Sequence, residues 1–352
     1  MDRYRDGGRL PDRDGAARVG PLLNLPPGPS IERPGGTTTL PPAAPVPVVF
    51  VVGSGRSGST LLDILLGKVD GFFSTGELHS LWWAGILEGR RCGCGLAVTE
   101  CHVWRDVITR TARGGSVRSH ARQVARLQAS IPGPVGAWVV ARGREVGRDL
   151  DRYGDLLAQT YRSIAESTGA RVVVDSTKHP AVAALLPRLP GIRPYFVHLV
   201  RDPRGVAHSW RRRKPATDRY GTLEMERFYA GASAGRWVLE QAAAGALCRA
   251  HPGSSLELRY EDLARDPAAV VGKILSLVGE DPKGSAFLAR PQLHLRTTHT
   301  VSGNPVRLHS GPLRIALDDE WRSAMPRVRR WLVTGLTSPF LLRYGYLGRA
   351  AI

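Results

Sequence analysis

A glycine-rich turn between a buried strand and a helix limits this chain more than any other feature of its sequence. Val46–Val52 is an apolar, β-branched run of the kind that forms a strand buried on both faces. The sequence Gly-Ser-Gly-Arg-Ser-Gly follows at 53–58, and Thr60–Leu66 has the length and composition of a helix. Glycines let a loop turn so that backbone N–H groups converge on a phosphate beside a helix N-terminus. The segment therefore predicts a phosphate-binding loop in a protein with an α/β sheet.

The loop departs from the P-loop of nucleoside triphosphatases at one position. Gly53 and Gly58 have the P-loop spacing, but Ser59 occupies the place of the lysine that reaches the β- and γ-phosphates. A nucleotide with only a 5′ group therefore fits this loop better than a triphosphate. The residues expected to bind that group are Gly55, Arg56, Ser57, Gly58, Ser59 and Thr60. A tight structural turn between strand and helix is the alternative interpretation.

The strand–loop–helix pattern recurs three more times along the chain. Strand-like runs lie at Arg171–Asp175, Tyr195–Val200 and Leu256–Arg259, and helix-like sequence follows them at Ala181–Leu189, Gly205–Arg213 and Val270–Val278. This repetition predicts an α/β protein with a P-loop three-layer fold, in which helices flank a central, mostly parallel sheet. Residues 46–352 are expected to form a single domain, with a helical insertion at about 103–165, where no strand-like run occurs.

Residues 1–45 differ in composition from this domain. Ten of the 26 prolines lie before residue 48, mixed with glycine and with alternating arginine and aspartate. Such a segment buries too little apolar surface to offset the entropy that is lost on ordering. We expect it to be a disordered tail.

Charge and hydropathy exclude several functional classes. The net charge is +18, but 44 of the 49 basic residues are arginines spread along the whole chain, which is unlike a clustered nucleic-acid surface. The charge favours a small anionic partner instead. No apolar run reaches the roughly 20 residues of a membrane span, and no apolar signal segment follows Met1. A cytoplasmic protein without a membrane span is therefore expected.

A second motif follows the strand-like run that ends at Val200. Asp202 and Pro203 are a typical N-cap and first residue of a helix, so a helix should begin there. Arg201 then lies at the carboxyl end of a strand, where open α/β sheets bind ligands. Its guanidinium, with the Ser209 hydroxyl, suits a phosphate. A structural ion pair is the alternative role for the arginine.

The two motifs together resemble those of sulfotransferases that use 3′-phosphoadenosine 5′-phosphosulfate (PAPS). Residues 53–62 resemble the 5′-phosphosulfate loop of that family, and residues 200–209 resemble its 3′-phosphate motif. Residues 259–263 and 302–307 are similar to further segments of the family, so the resemblance covers about residues 46–345. It implies a sulfotransferase with PAPS as co-substrate, in which Arg307 helps to close the nucleotide pocket and Gly303 allows close approach of the backbone.

Sulfuryl transfer needs a proton acceptor and cations that offset charge on the transferred and leaving groups. Glu77 is the expected base, because the chain also resembles tyrosylprotein sulfotransferases, which have a catalytic glutamate at this spacing from the loop arginine. His79 is the competing base, and a helix-capping role is the alternative for Glu77. The resemblance implies that Lys178 contacts the bridging oxygen between phosphate and sulfate. Arg56 is expected over the sulfate or 5′-phosphate oxygens.

The sequence leaves the acceptor and two other functions open. The acceptor group is a hydroxyl or amine of a small molecule, a carbohydrate or a peptide. A P-loop small-molecule kinase is one alternative function, and it would need the missing lysine and an acidic Mg²⁺ ligand. A non-catalytic nucleotide-binding protein is the other, and the presence of Glu77 and Lys178 weighs against it.

Three cysteines cluster after the Glu77 segment. Cys92, Cys94 and Cys101, with His102, offer a Cys₃His set that in principle binds zinc. The adjacency of Cys101 and His102 strains a shared tetrahedron, however, and the spacing matches none of the usual zinc motifs. Ordinary thiols or a redox-sensitive pair are therefore expected. We predict that the reaction needs no metal.

Overall fold

One strand, β1 (Val46–Gly53), forms the centre of the fold in the computed structural model, which describes residues 44–133, 136, 147–213, 227–289 and 293–347. β2 (Phe72–Ser74) and β3 (Val172–Lys178) lie on one side of it, and β4 (Ile192–Val200) and β5 (Ser255–Arg259) on the other. The strand order is β2-β3-β1-β4-β5, and every neighbouring pair is parallel. Two further strands, β6 (Leu293–Leu295) and β7 (Gly311–Leu313), form a separate antiparallel pair.

Helices connect the strands and cover the sheet. The α-helices are α1 (Ser59–Leu66), α2 (His102–Ala112), α3 (Val117–Gln128), α4 (Arg148–Thr168), α5 (Pro180–Ala183), α6 (Pro203–Arg211), α7 (Ala230–Ala250), α8 (Tyr260–Arg265), α9 (Pro267–Val278), α10 (Trp321–Ala324) and α11 (Arg327–Arg343). Short 3₁₀ segments lie at Leu78–Ser80, Leu186–Arg188, Pro252–Ser254, Pro282–Ala289 and Pro305–Leu308, and Leu81–Leu87 is a π-helical segment. Among the described residues, no helix combines the length and the apolar character that crossing a membrane requires.

Both faces of β1 are buried, which explains its unbroken apolar sequence. Side chains alternate between the faces of a strand. Val48 and Phe50 therefore pack into a core with residues of α2, α3 and α4, whereas Val49 and Val51 pack with residues of α1 and α9. Helices thus cover both faces of a parallel sheet, and the fold class predicted from the sequence is confirmed.

The predicted division of the chain lies partly outside the described residues. Residues 1–43 of the predicted tail belong to the part that is not described, and the boundary between tail and domain stays a prediction. In the region of the predicted helical insertion, the described residues form α2, α3, most of α4 and the segments between them. Residues 134–135 and 137–146 of that region lie outside the description.

Two elements differ from the sequence expectation. The helix expected over Ala181–Leu189 is interrupted: α5 ends at Ala183, and a 3₁₀ turn follows at Leu186–Arg188. Pro187 explains the break, because proline lacks the N–H that a continuing helix needs and clashes with the preceding turn. β2 was not expected, because three residues carry too little periodicity to indicate a strand.

The turn at the end of β1 needs glycine at position 53, because any other residue there would be strained. Gly53 has a φ of +133°, and a Cβ built on it would lie 2.5 Å from the backbone oxygen of Leu199 on β4. The first residue of the glycine loop is therefore held against the neighbouring strand.

We predict that Gly53→Ala lowers the free energy of unfolding by about 1–3 kcal/mol, because alanine there is strained in the backbone and meets a main-chain oxygen. Gly235→Ala is the matched control. Gly235 lies inside α7 with no neighbouring atom within 4 Å of its hypothetical Cβ. Alanine should therefore raise the free energy by about 0.5–1 kcal/mol there. Urea unfolding measures both, and equal effects of the two changes would contradict this account of Gly53.

Candidate active site

The glycine loop, Glu77, Lys178 and Arg201 lie along one edge of the sheet. Because all five strands are parallel, their carboxyl ends meet at this edge. β1 leads into the glycine loop, β2 leads toward Glu77, β3 ends at Lys178, and β4 is followed by Arg201. The order of the strands reverses at β1, and such a switch point is where open α/β sheets bind ligands.

The glycine loop is shaped by its neighbours as well as by its own turn. Gly58 caps α1 with a φ of +87°, and a Cβ on it would lie 2.4 Å from the ring of Tyr260. A Cβ on Gly55 would lie 2.9 Å from the ring of Trp210. Ser57 is fully buried, and its hydroxyl has no hydrogen-bond partner among the described residues. A buried unpaired hydroxyl in a glycine loop at a helix N-terminus fits the binding of an anion.

Arg56 lies at the centre of this loop in a left-handed conformation, with a φ of +65°. Its guanidinium carbon is 4.8 Å from the centroid of the Trp210 ring. Its backbone oxygen accepts a hydrogen bond of 3.0 Å from Arg201 Nη1. Burial lowers the pKa of Arg56, and the charge of Glu77 acts in the opposite direction. The loop therefore brings one cation close to Glu77 and is itself held by a second arginine.

Glu77 and Lys178 form an ion pair between the ends of β2 and β3. Lys178 Nζ donates to Glu77 Oε1 at 2.6 Å and to the backbone oxygen of Ser176 at 2.7 Å. Burial acts to raise the pKa of Glu77. The charge and hydrogen bond of Lys178, with the charges of Arg307 and His79, outweigh burial and hold that pKa below its ordinary value. Glu77 is therefore a carboxylate at neutral pH.

The segment that carries Glu77 is fixed by a late part of the chain. Glu77 N donates to the backbone oxygen of Ser302 at 3.3 Å, and Val301 N donates to the backbone oxygen of Thr75 at 2.8 Å. Asn304 N donates to Thr60 Oγ1 at 3.2 Å. Residues 300–304, which we call the bracing segment, thus contact both the Glu77 segment and the start of α1.

His79, the competing base, is buried beside α3. Gln128 Nε2 donates to the backbone oxygen of His79 at 2.8 Å and lies 3.2 Å from its Nδ1. The His79 ring stacks on that of His179, with 6.2 Å between the centroids. Burial lowers the pKa of His79 to about 4, although Glu77 counteracts it. His79 is therefore a neutral imidazole at neutral pH.

Arg201 belongs to a second charged cluster, which involves residues that the sequence did not indicate. Arg201 is 5% exposed, and its Nη2 lies 2.8 Å from the backbone oxygen and 3.2 Å from Oδ2 of Asp318. Arg212 Nη2 donates to Asp318 Oδ1 at 2.9 Å. The guanidinium of Arg201 also covers the ring of Tyr260, at 4.5 Å from the centroid. The Asp318 carboxylate thus lies between two arginines.

The helix after Arg201 begins as predicted. Asp202 is the N-cap of α6, and its Oδ1 accepts a hydrogen bond of 2.9 Å from Arg204 N. Ser209 is buried on the same helix. Arg201 and Ser209 therefore lie at the start and on the body of one helix, whereas their binding of a phosphate stays a prediction.

Gly303 and Arg307 lie in and just after the bracing segment. Gly303 has a φ of +141°, and a Cβ on it would lie 3.2 Å from Thr60 Oγ1, so glycine permits the close approach to α1. Arg307 is 1% exposed. It donates from Nη1 to the backbone oxygen of Thr300 at 2.8 Å and from Nη2 to that of Arg91 at 2.7 Å. Arg307 therefore joins two segments of backbone, and its contact with a nucleotide stays a prediction.

Two buried aspartates behind the ion pair were missed by the sequence analysis. Asp175 accepts hydrogen bonds from Tyr161 Oη at 2.7 Å and from Thr177 N at 2.8 Å. Asp63 accepts a hydrogen bond from Ser74 Oγ, and burial raises its pKa to about 7. In the sequence, the sign of each is a single aspartate within an otherwise apolar helix or strand. Asp175 thus fixes the backbone of β3 at Thr177, directly before Lys178.

The three cysteines come together, but with a different histidine from the one expected. Cys92, Cys94 and Cys101 gather with His299. His102 lies outside this set, with its ring edge-on to that of His299 and 4.9 Å between the centroids. Sequence spacing does not reveal His299, because it lies 198 residues from Cys101.

The comparison with known proteins identifies a family. Residues 47–282 match the family model described as the sulfotransferase family, which is more than half of the chain. No curated protein matches the chain. Among solved structures, the sulfotransferase domain of the Synechococcus PCC 7002 olefin synthase is 23% identical, covers 84% of this chain and 95% of its own, and has a TM-score of 0.46. The sulfotransferase domain from the curacin biosynthetic pathway is 16% identical, covers 85% and 98%, and has a TM-score of 0.48.

A sulfotransferase from Alicyclobacillus acidocaldarius is 14% identical, covers 84% of this chain and 93% of its own, and has a TM-score of 0.39. The assignment rests on the family model, which spans the glycine loop, the Glu77 segment, Lys178 and the Arg201 motif. The chain belongs to the sulfotransferase family.

Proposed function

We propose that the protein transfers a sulfuryl group from PAPS to a hydroxyl or amine of a small molecule, carbohydrate or peptide, with Glu77 as the base. The observation that carries the proposal is the pairing of Glu77 with Lys178 at 2.6 Å, at the edge of the sheet where the glycine loop begins. A carboxylate and an ammonium at this place supply the two functions that sulfuryl transfer needs, proton acceptance and stabilisation of negative charge.

The residues around the loop fit the anionic groups of PAPS. The loop amides, the buried Ser57 hydroxyl and the N-terminus of α1 suit a 5′-phosphosulfate. Arg201 and Arg212 already hold one carboxylate between them, that of Asp318, and so offer two guanidinium groups to a 3′-phosphate. Bound PAPS supplies an activated sulfuryl group.

The protein's own contribution is to hold and move a proton and to offset charge. Glu77 has a pKa below its ordinary value, so it is ready to accept the proton of the acceptor across the neutral range. The Lys178 ammonium lies beside the Glu77 carboxylate, and the Arg56 guanidinium lies on the loop side of the site. His79 is neutral and is engaged with Gln128, which favours a positioning role for it.

We predict that Glu77→Gln reduces turnover by roughly 10²–10⁴-fold, the usual contribution of a positioned general base, because glutamine keeps the shape and loses the basic oxygen. Affinity for PAPS should change little. The loss should be larger for an aliphatic alcohol than for a phenol, because a phenol (pKa about 10) releases its proton far more readily. Initial rates with a sugar and a phenolic acceptor, together with calorimetry of nucleotide binding, measure both effects.

His79→Asn serves as the control for this assignment. Asparagine removes the imidazole and keeps a polar side chain, so most of the turnover should remain if Glu77 is the base. An inactive His79→Asn enzyme beside a Glu77→Gln enzyme with nearly full activity would make the histidine the base and the carboxylate structural.

We predict that adenosine 3′,5′-bisphosphate binds about 10–100-fold more tightly than 5′-AMP, the range expected for a charge-assisted hydrogen bond to the 3′-phosphate. Arg201→Ala and Arg212→Ala should each remove most of this difference. Asp318→Asn should increase it, because it takes a negative charge away from the same two arginines. Calorimetry with both nucleotides measures the difference, and equal affinities in the unaltered protein would show that the Arg201 motif has another role.

We predict that transfer from PAPS proceeds without added Mg²⁺, because arginine, lysine and loop amides meet the oxygen charges. A kinase would instead show activity with ATP that depends on Mg²⁺. Rates with PAPS and with ATP, each measured with and without Mg²⁺, separate the two functions. Phosphorylation of an acceptor by ATP, in the absence of any transfer from PAPS, would favour the kinase.

A further inference from the structure

Four metal-binding side chains meet outside the proposed transfer site. The Sγ atoms of Cys92, Cys94 and Cys101 and a ring nitrogen of His299 all lie within 4.8 Å of one another. Cys92 and Cys101 are buried, whereas Cys94 and His299 are partly exposed, so an ion from solution can reach the cluster. We propose that these four residues bind one structural zinc ion that holds the bracing segment in place.

Three of the distances between the ligand atoms are close to the edges of a tetrahedron around zinc. A zinc–sulfur bond of about 2.3 Å and a zinc–nitrogen bond of about 2.0 Å give edges of roughly 3.8 Å between two sulfurs and roughly 3.5 Å between sulfur and nitrogen. The Sγ atoms of Cys92 and Cys101 are 3.7 Å apart. His299 Nδ1 lies 3.2 Å from Cys101 Sγ and 4.0 Å from Cys92 Sγ, on either side of the expected edge.

The backbone around the cluster is arranged to present the cysteines. Cys92 N donates to the backbone oxygen of Leu96 at 2.8 Å, and Gly95 N donates to that of Cys92 at 2.9 Å, which closes a tight turn around Cys94. Cys101 is the N-cap of α2, where the partial positive charge of the helix favours a thiolate.

His299 is held toward the cysteines from the other side. Its backbone oxygen accepts a hydrogen bond of 2.6 Å from Trp104 Nε1, two residues inside α2. The next residue, Thr300, accepts a hydrogen bond of 2.9 Å from Gly93 N at its backbone oxygen. A Cβ on Gly93 would lie 2.3 Å from Thr298 Oγ1, so a residue without a side chain is needed for the two segments to meet.

The donor set selects zinc and a structural role. Three thiolates and one imidazole are a donor set typical of zinc. Four protein ligands leave no position for a water or a substrate, which distinguishes a structural site from a catalytic one. This zinc therefore takes no part in the transfer, and the prediction of a reaction without metal chemistry is compatible with it.

The consequence for the active site follows from the contacts of the bracing segment, and it rests on the proposed function. His299 directly precedes residues 300–304, which contact Thr75, Glu77 and Thr60. Arg307 adds a second link by donating to the backbone oxygens of Arg91 and Thr300. A zinc ion at the cluster would hold the bracing segment from one end, and through it the segment that carries the proposed base.

The first test measures zinc directly in the purified full-length protein. We expect about one zinc ion per chain by mass spectrometry of the metal content. In Cys94→Ser, Cys101→Ser and His299→Ala the affinity for zinc, measured by competition with a chromogenic chelator, should fall at least about 10-fold, since the loss even of an outer-shell partner weakens metal affinity by that factor. Cys248→Ser is the matched control, because Cys248 lies outside the cluster, and it should keep its zinc.

The second test uses the unaltered protein, so that it does not depend on variants that fail to fold. Replacement of the ion by Co²⁺ should give the thiolate charge-transfer band and the intense visible bands of a tetrahedral sulfur-ligated cobalt site. An unchanged affinity for zinc in Cys94→Ser and Cys101→Ser would overturn the proposal. So would a zinc-free protein with a disulfide between Cys92 and Cys101, which would make the cluster a redox pair.

The third test addresses the bracing role without any sulfuryl transfer. After zinc is removed by a chelator, hydrogen exchange should become at least about 10-fold faster in residues 298–304 but stay unchanged in β3. Unchanged exchange in residues 298–304 would overturn the bracing role. Since none of the three tests involves PAPS or an acceptor, an inactive enzyme that binds zinc would contradict only the proposed function.

Discussion

The burial of β1 on both faces is the constraint on which the rest of the molecule depends. Because β1 pairs in parallel with β3 and with β4, chain segments that are distant in sequence end at the same edge of the sheet. Hydrogen bonds of the sheet therefore bring the glycine loop, Lys178 and Arg201 together without any direct sequence proximity. The helices on the two faces only need to keep water from the apolar side chains.

Negative charge is distributed over this edge before any ligand arrives. Glu77 neutralises Lys178, and Asp318 neutralises Arg201 and Arg212. Partial burial of a cation costs desolvation free energy unless the cation is paired. These carboxylates therefore stabilise the lysine and arginines at this edge of the sheet. In the proposed function, an anion that binds there has to compete with the Asp318 carboxylate for the two arginines, which lowers its affinity.

The sequence predicted the parts of the site that follow from local patterns, and missed those that depend on distant partners. The glycine loop and the N-cap at Asp202 are readable because strand, turn and helix signals are adjacent in the chain. His299 and Asp318 carry no such signal, since Cys101 lies 198 positions from His299 and Arg201 lies 117 positions from Asp318. Their roles depend on how the segments after β5 return to the sheet.

Lys178 combines the chemical role proposed for it with an unfavourable backbone conformation. It ends β3 with a φ of +69°, and the pairing of β1 with β3 shifts register between Phe50 and Val52, next to the point where Lys178 meets Val52. The left-handed conformation costs a residue with a side chain roughly 1–2 kcal/mol, and glycine adopts it freely. Stability therefore favours glycine at this position, whereas the proposed chemistry needs lysine. Selection for thermal stability alone would favour glycine at position 178 and would remove the ammonium group.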